Sequence, residues 1–178
     1  MADIFQTGIS QDIAAVLQQK DQRVARQQQL LSENPQATLL DLKLNIPGPI
    51  KNNAALRDLF QRGIERLKAQ FPGTWTVKTA WDQPTGNELM VLTDLDLVTA
   101  KQAAIRFEDQ DFWGRLFDVD LLQEGDPQTI SRTQLGQPLR QCLICSRPAK
   151  ECARSRRHSV ADLQAVISRL YHQGIEKE

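Results

Sequence analysis

Two aspartates stand two residues apart in Gly114-Arg115-Leu116-Phe117-Asp118-Val119-Asp120. On a β-strand, residues i and i+2 point to one face about 6.5–7 Å apart, so Asp118 and Asp120 would stand side by side, flanked by Leu116 and Leu122. Carboxylates so spaced can bracket one hard cation such as Mg2+, whose remaining oxygen ligands grip phosphates. Gly114, just upstream, would let backbone approach an anionic ligand closely. The same spacing equally suits an edge strand that buries Phe117, Val119 and Leu121 and leaves both aspartates in water. The motif alone leaves both readings open. Asp94 and Asp96 share the spacing, but helical sequence follows them, and either serves well as an N-cap.

A second cluster reads Cys142-x2-Cys145-x6-Cys152-x5-His158. Cys-x2-Cys presents two thiolates to a metal, and Cys152 with His158 could complete a tetrahedron around a structural Zn2+. One knuckle with an uneven second half also fits buried apolar cysteines or a redox pair. Arg140, Arg154, Arg156 and Arg157 crowd the same stretch. Guanidinium forks match phosphate geometry, so convergence would suit a polyphosphate; dispersed, they make an ordinary solvated basic loop. His158 could instead face a substrate. Lys51, in Pro47-Gly48-Pro49-Ile50-Lys51, precedes a helix whose free N–H groups favour an anion. That loop lacks the Gly-Lys-Ser/Thr of a P-loop, and a rigid turn with its lysine in solvent fits as well. With His158 and His172 the only histidines, no Ser/His/Asp set stands out.

The elements that position these residues can be read from periodicity. Helices are expected over 10–31, with Ser10 as cap and Ile13, Val16, Leu17, Val24 and Leu31 on one face, and from Asn52 or Asn53 to just before Pro72-Gly73. A third should run from Asp94 or Asp96 to about Glu108, its core side Val98, Ala104, Ile105 and Phe107. A fourth should run from Ser159 or Asp162 to His172. Strands are expected over 38–46, 75–81, 88–93 and 114–122, with 129–132 pairing back across Gly125-Asp126-Pro127. In 38–46, Leu40, Leu42, Leu44 and Ile46 should share a face. The Cys/Arg-rich segment 140–158 reads as irregular. Together these give one α+β domain over 1–178, a mixed sheet flanked by helices.

Composition narrows the classes. The 178 residues carry 22 Lys+Arg and 22 Asp+Glu, and a net charge of zero excludes a nucleic-acid or membrane-surface binder driven by bulk charge. The zero is a cancellation: 88–126 holds ten acids against three bases, while 130–160 holds seven bases against one acid. No stretch approaches the roughly 20 apolar residues of a membrane span. The beginning Met-Ala-Asp-Ile-Phe-Gln lacks a signal's basic and apolar regions. Three clustered cysteines in such a chain point to the reducing cytoplasm.

These blocks resemble the citrate lyase holo-acyl-carrier-protein synthases, the apo-citrate lyase phosphoribosyl-dephospho-CoA transferases. The resemblance rests on Arg23-x2-Arg26, Pro47-Gly48-Pro49-Ile50-Lys51, the Gly114–Asp120 block, and Arg140-x-Cys142-x2-Cys145 through Cys152-Ala153-Arg154 to His158. Glu108 also falls where the family pattern has an acid, and is added as a catalytic candidate. The resemblance implies transfer of a phosphoribosyl-dephospho-CoA unit from 2'-(5''-triphosphoribosyl)-3'-dephospho-CoA to a serine of the lyase's acyl-carrier subunit, with release of diphosphate. Asp118 and Asp120 would then hold Mg2+, while Lys51, Arg115 and Arg140, Arg154, Arg156 and Arg157 would hold phosphates. Gly-x3-Asp-x-Asp also resembles the metal motif of nucleotidyltransferase-fold enzymes. Those often draw a third carboxylate from a later strand, and after Asp120 only Glu124 and Asp126 lie near. A non-catalytic, zinc-stabilised module that docks a carrier or lyase subunit is the alternative.

Overall fold

The computed structural model describes residues 2–125 and 130–177. Four strands form one sheet in the order β2-β3-β1-β4: β1 (Thr38–Leu44), β2 (Thr76–Gln83), β3 (Gly86–Thr93) and β4 (Phe117–Leu122). The α+β class is as expected. The sheet is not mixed, however, because all three pairings are antiparallel.

One face carries the main core. Leu40 and Leu42, Leu89 and Val91, and Phe117, Val119 and Leu121 pack there against α2 (Ala54–Gln70), α3 (Leu97–Gln110) and α5 (Val160–Ile175). Phe117 sits between Phe60 and Phe107, at ring-centroid distances of 5.8 and 5.3 Å. The opposite face is apolar only at one end, where Leu30 and Leu31 of α1 (Ile13–Glu33) cover Leu39, Met90 and Leu92. The remainder of that face is polar.

Several helices begin where side chains can cap them. Asn53 caps α2, Asp96 caps α3, and Ser159 caps α5 in a reciprocal box with Asp162. On α1 the cap is Asp12 rather than Ser10. Its expected core stripe is mostly outside: Ile13 is 79% and Leu17 53% exposed, and of its apolar residues only Leu30 and Leu31 in the last turns are buried. Val98 of α3 is likewise exposed, while Ala104, Ile105 and Phe107 are buried.

Strand β1 stops at Leu44 and is buried on both faces from Thr38 to Leu42, because it is flanked by β3 and β4 and covered above and below. The expected strand 114–122 opens instead with a 3-10 turn, Gly114–Leu116. Of the second expected strand, and of Asp126, residues 126–129 lie outside the described residues; 130–132 leads into a hydrogen-bonded turn closed by Gln137 N–H to Arg132 C=O. A short helix, α4 (Ala149–Arg154), lies within the segment expected to be irregular.

Candidate active site on the polar face of the sheet

Alternation along β4 buries Phe117, Val119 and Leu121 and turns Asp118 and Asp120 to the polar face. That much matches the plain edge-strand reading, but the two carboxylates do not simply face water. The β1–β4 register sets Asp41 opposite Asp120 and Lys43 opposite Asp118; the β1–β3 register sets Lys43 opposite Glu88. Directly opposed residues have Cβ atoms about 4.5–5.5 Å apart. Four carboxylates and a lysine therefore share one patch.

Lys43 Nζ lies 2.7 Å from Asp120 Oδ2 and 3.3 Å from Asp118 Oδ2. Burial works against its charge, but Asp118, Asp120 and Asp41 outweigh burial and hold the ammonium above the usual lysine range. For Asp118, 42% exposed, burial is overcome by Lys43 and Arg140, and its carboxyl is held below the usual range. Asp41 is fully buried. Its Oδ2 accepts from Gln27 Nε2 at 2.7 Å, and its Oδ1 has no partner. Burial pushes Asp41 up to about 7 despite Lys43 nearby. Arg23 reaches down from α1 to Glu88 Oε1 at 2.6 Å and Asp41 Oδ2 at 3.7 Å. Arg26 turns away to Thr79 and Gln29.

Sequence reasoning missed Asp41, Lys43 and Glu88. In Thr-Leu-Leu-Asp-Leu-Lys-Leu, Asp41 and Lys43 read as the outward residues of a half-exposed strand, and Glu88 as the opening residue of the expected strand 88–93.

Two carboxylates that already gather a cationic ammonium, beside a third with an unpartnered oxygen, are oxygen donors of the kind a divalent cation takes. The carboxylate that faces this pair across the ladder, Asp41, comes from an earlier strand in the sequence, not a later one.

The structure gives several expected site residues other work. Glu108 is buried on the sheet margin: Val119 N–H donates to its Oε1 at 3.1 Å, and Arg132 Nη2 lies 3.1 Å from Oε2. It does not join the Asp118–Asp120 pair. Gly114 is required by packing, since a Cβ there would collide with the Phe107 carbonyl. Lys51 Nζ donates to the Ile46 carbonyl at 2.6 Å within its own loop, and burial lowers its pKa.

Arg140 and Arg115 hold the flank together. Arg140 Nη2 donates to the carbonyls of Arg115 (2.9 Å) and Phe117, and its Nη1 lies 4.0 Å from Asp118 Oδ1. Arg115 Nη2 donates to the carbonyls of Gln141 and Cys142. With the Arg132 pairs to Glu108 and Asp109, the acidic and basic blocks of the sequence thus meet in space.

Behind Arg140 the backbone folds back on itself through Cys142 N–H to Arg147 C=O and Ala149 N–H to Arg140 C=O. This turn and α4 gather Cys142, Cys145, Cys152 and His158, whose ligand atoms all lie within 4.8 Å of one another. Cys145 Sγ is 3.5 Å from Cys152 Sγ and 3.4 Å from His158 Nε2. With metal–sulfur bonds of about 2.3 Å and metal–nitrogen bonds of about 2.0 Å, tetrahedral edges are roughly 3.5–3.8 Å, so the group could hold a metal such as zinc. Burial would raise the Cys142 thiol, but N–H groups of Ile144 and Cys145 outweigh it and lower its pKa. Arg154, Arg156 and Arg157 are exposed, and among them Arg156 alone lines the adjoining cavity.

A family profile described as apo-citrate lyase phosphoribosyl-dephospho-CoA transferase matches residues 11–174. The chain belongs to this family. It is 37% identical over 179 residues to a probable apo-citrate lyase phosphoribosyl-dephospho-CoA transferase of Streptococcus pyogenes, covering 99% of this chain and 93% of that one. It is 34% identical over 164 residues to the Citrobacter koseri apo-citrate lyase phosphoribosyl-dephospho-CoA transferase, covering 90% and 88%. Protein CitXG of Leuconostoc mesenteroides subsp. cremoris is 34% identical over 172 residues, which are 96% of this chain and 37% of that longer one. Family membership extends across both the polar sheet face and the cysteine–arginine flank. Among the described residues, no helix is long and apolar enough to cross a membrane.

Proposed function

We propose that this chain transfers the 5''-phosphoribosyl-3'-dephospho-CoA group from 2'-(5''-triphosphoribosyl)-3'-dephospho-CoA to a serine of the citrate lyase acyl-carrier subunit in the cytoplasm. The serine hydroxyl gives up its proton to water as its oxygen forms a bond to the α-phosphorus of the triphosphate, the bond from that phosphorus to the bridging oxygen breaks, and diphosphate leaves. The product is a phosphodiester. The observation that carries this reading, beside the family, is the Asp41–Lys43–Asp118–Asp120 patch. Phosphoryl chemistry is mostly a matter of positioning and charge neutralisation, and this patch offers both signs at close range.

Mg2+ held by Asp118, Asp120 and the open Oδ1 of Asp41 would neutralise the triphosphate's charge. Asp118, held ionised beside Lys43 and Arg140, need give up no proton to serve as a ligand, and Asp120 faces the same Lys43 ammonium. Lys43 stays protonated throughout and, released from Asp120, can donate to a phosphate oxygen. Arg140, next to Asp118, is placed to receive the departing diphosphate. Zn2+ on Cys142, Cys145, Cys152 and His158 would hold the Arg140 segment in place as a structural ion. Arg23 positions Asp41 and Glu88 rather than touching substrate.

The test is the mass of the apo-carrier before and after incubation with the chain, the triphosphoribosyl donor and Mg2+. A gain equal to the prosthetic group is expected, with diphosphate released in equal amount. Carrier bound without mass gain or diphosphate would instead indicate a docking module.

A further inference from the structure

Beside the Asp118–Asp120 pair, and sharing Arg140 with it, lies a cavity of about 500 Å3 between the 3-10 turn at Gly114–Leu116, the Cys/His turn and α5. Its size falls within the roughly 300–1,000 Å3 of small-molecule sites. Leu116, Leu143, Leu163 and Ile167 supply apolar walls, and Arg115, Arg140 and Arg156 stand around it with no carboxylate among the lining side chains. A second cavity, of about 390 Å3 between α2 and the β2–β3 hairpin, is lined by Arg57 but also by Glu65, Asp82 and Glu88. Of these two, only the first would welcome several negative charges around an apolar body.

Two details show that this cavity wants an anion. Arg115, which lines the cavity, has a buried Nε with no hydrogen-bond partner. Arg156 follows the end of α4 with φ +46°, the left-handed region where glycine is usual and other residues are strained by about 1 kcal/mol or more. From this strained position Arg156 lines the cavity.

We propose that this cavity is the nucleoside pocket of the site, taking the adenosine of the donor, with its 5'-diphosphate on the arginine rim. The inference rests on the transferase reading above. Connectivity selects the adenosine. The triphosphate is borne by a ribose on the adenosine's 2'-oxygen, so with the reacting phosphorus at Asp118 and Asp120 the adenosine lies one sugar away. Arg140 links the two places. The pantetheine arm, attached through the 5'-diphosphate, leaves on the opposite side. The base is the donor's one flat, apolar body and matches the leucine-lined walls; the phosphates on either side match Arg140 and Arg156.

The probe is 3'-dephospho-CoA, which lacks the triphosphate arm and cannot react. Calorimetric titration of the full chain should show binding, and Asp118→Asn should bind it as the unaltered chain does. Ala153→Phe, which places a ring into the cavity from α4, should weaken binding at least about tenfold. Arg156→Gly should weaken it by a similar factor while thermal stability holds or rises, since glycine accepts the positive φ without strain. Adenosine 5'-monophosphate should displace the probe and 4'-phosphopantetheine should not. Unchanged affinity in both cavity variants, displacement by phosphopantetheine alone, or no dephospho-CoA binding by a chain that transfers the group to its carrier would each overturn the proposal. A chain that binds dephospho-CoA in this cavity but never adds mass to the carrier would sink the transferase reading and leave the pocket standing.

Discussion

The polar face of the sheet and the cysteine–arginine flank are built by opposite means. Asp41, Lys43, Glu88, Asp118 and Asp120 come from three strands whose ladders fix every neighbour, so their spacing is set before any ligand arrives. The flank from 140 to 158 has one six-residue helix, one isolated bridge and a few turn hydrogen bonds, and it leans on Arg115, Arg140 and the Cys/His group. Charge chemistry that tolerates little misplacement sits on the rigid part. The flank, where the proposed donor would bind, is held by side-chain hydrogen bonds and by the packing of the Cys/His group.

Four variants break or sharpen this contrast. Asp118→Ala should lower carrier modification about a thousandfold, the scale of losing a principal charge-stabilising group, with unfolding free energy within about 1 kcal/mol of the unaltered chain. Mass spectrometry of the carrier and urea unfolding read the two halves. Cys145→Ala touches the other region. Bound zinc should fall from about one ion per chain towards none by metal analysis, and amides of 141–158 should lose hydrogen-exchange protection while β1 and β3 keep theirs.

Lys43→Met asks how far the ladder alone can hold like charges together. Without the ammonium, stability in a chelator should fall by about 2 kcal/mol, less than for a fully buried pair because Asp118 and Asp120 are partly exposed. Added Mg2+ should restore more melting temperature in this variant than in the unaltered chain. Glu108→Ala should cost about 1–2 kcal/mol in urea unfolding by leaving the Val119 N–H unpaired, while transfer per folded molecule stays near normal. A large loss of transfer at unchanged stability would return Glu108 to the chemistry.

The difference between the regions also explains what could be read in advance. Gly114-Arg115-Leu116-Phe117-Asp118-Val119-Asp120 declares its strand alternation locally, and the caps Asn53, Asp96 and Ser159 declare helix starts. Asp41 does not. Its burial depends on β1 lying between β3 and β4, and its role on meeting Asp120 across 79 positions of sequence, a register no local pattern encodes. The stripe on α1 misled for a related reason: 3.6-residue spacing says which residues share a face, not whether anything covers it. The cysteine spacing foretold the Cys/His group, yet α4 was hidden because six residues beginning after Pro148 give too little periodicity to see.

Along the outer margin of β4, Arg140 takes the Phe117 carbonyl, Glu108 the Val119 N–H, and Lys101 the Val119 carbonyl at 3.0 Å. At the far margin, β2 is bulged between Val77 and Thr79, and Arg26 covers the Lys78 carbonyl and the Thr79 hydroxyl. Both borders of the sheet are thus occupied by charged side chains where a foreign strand would need free backbone. Edge-to-edge stacking into fibrils is blunted on each side, and the carrier subunit of the proposed reaction would be met through side chains and helices rather than by lending a fifth strand.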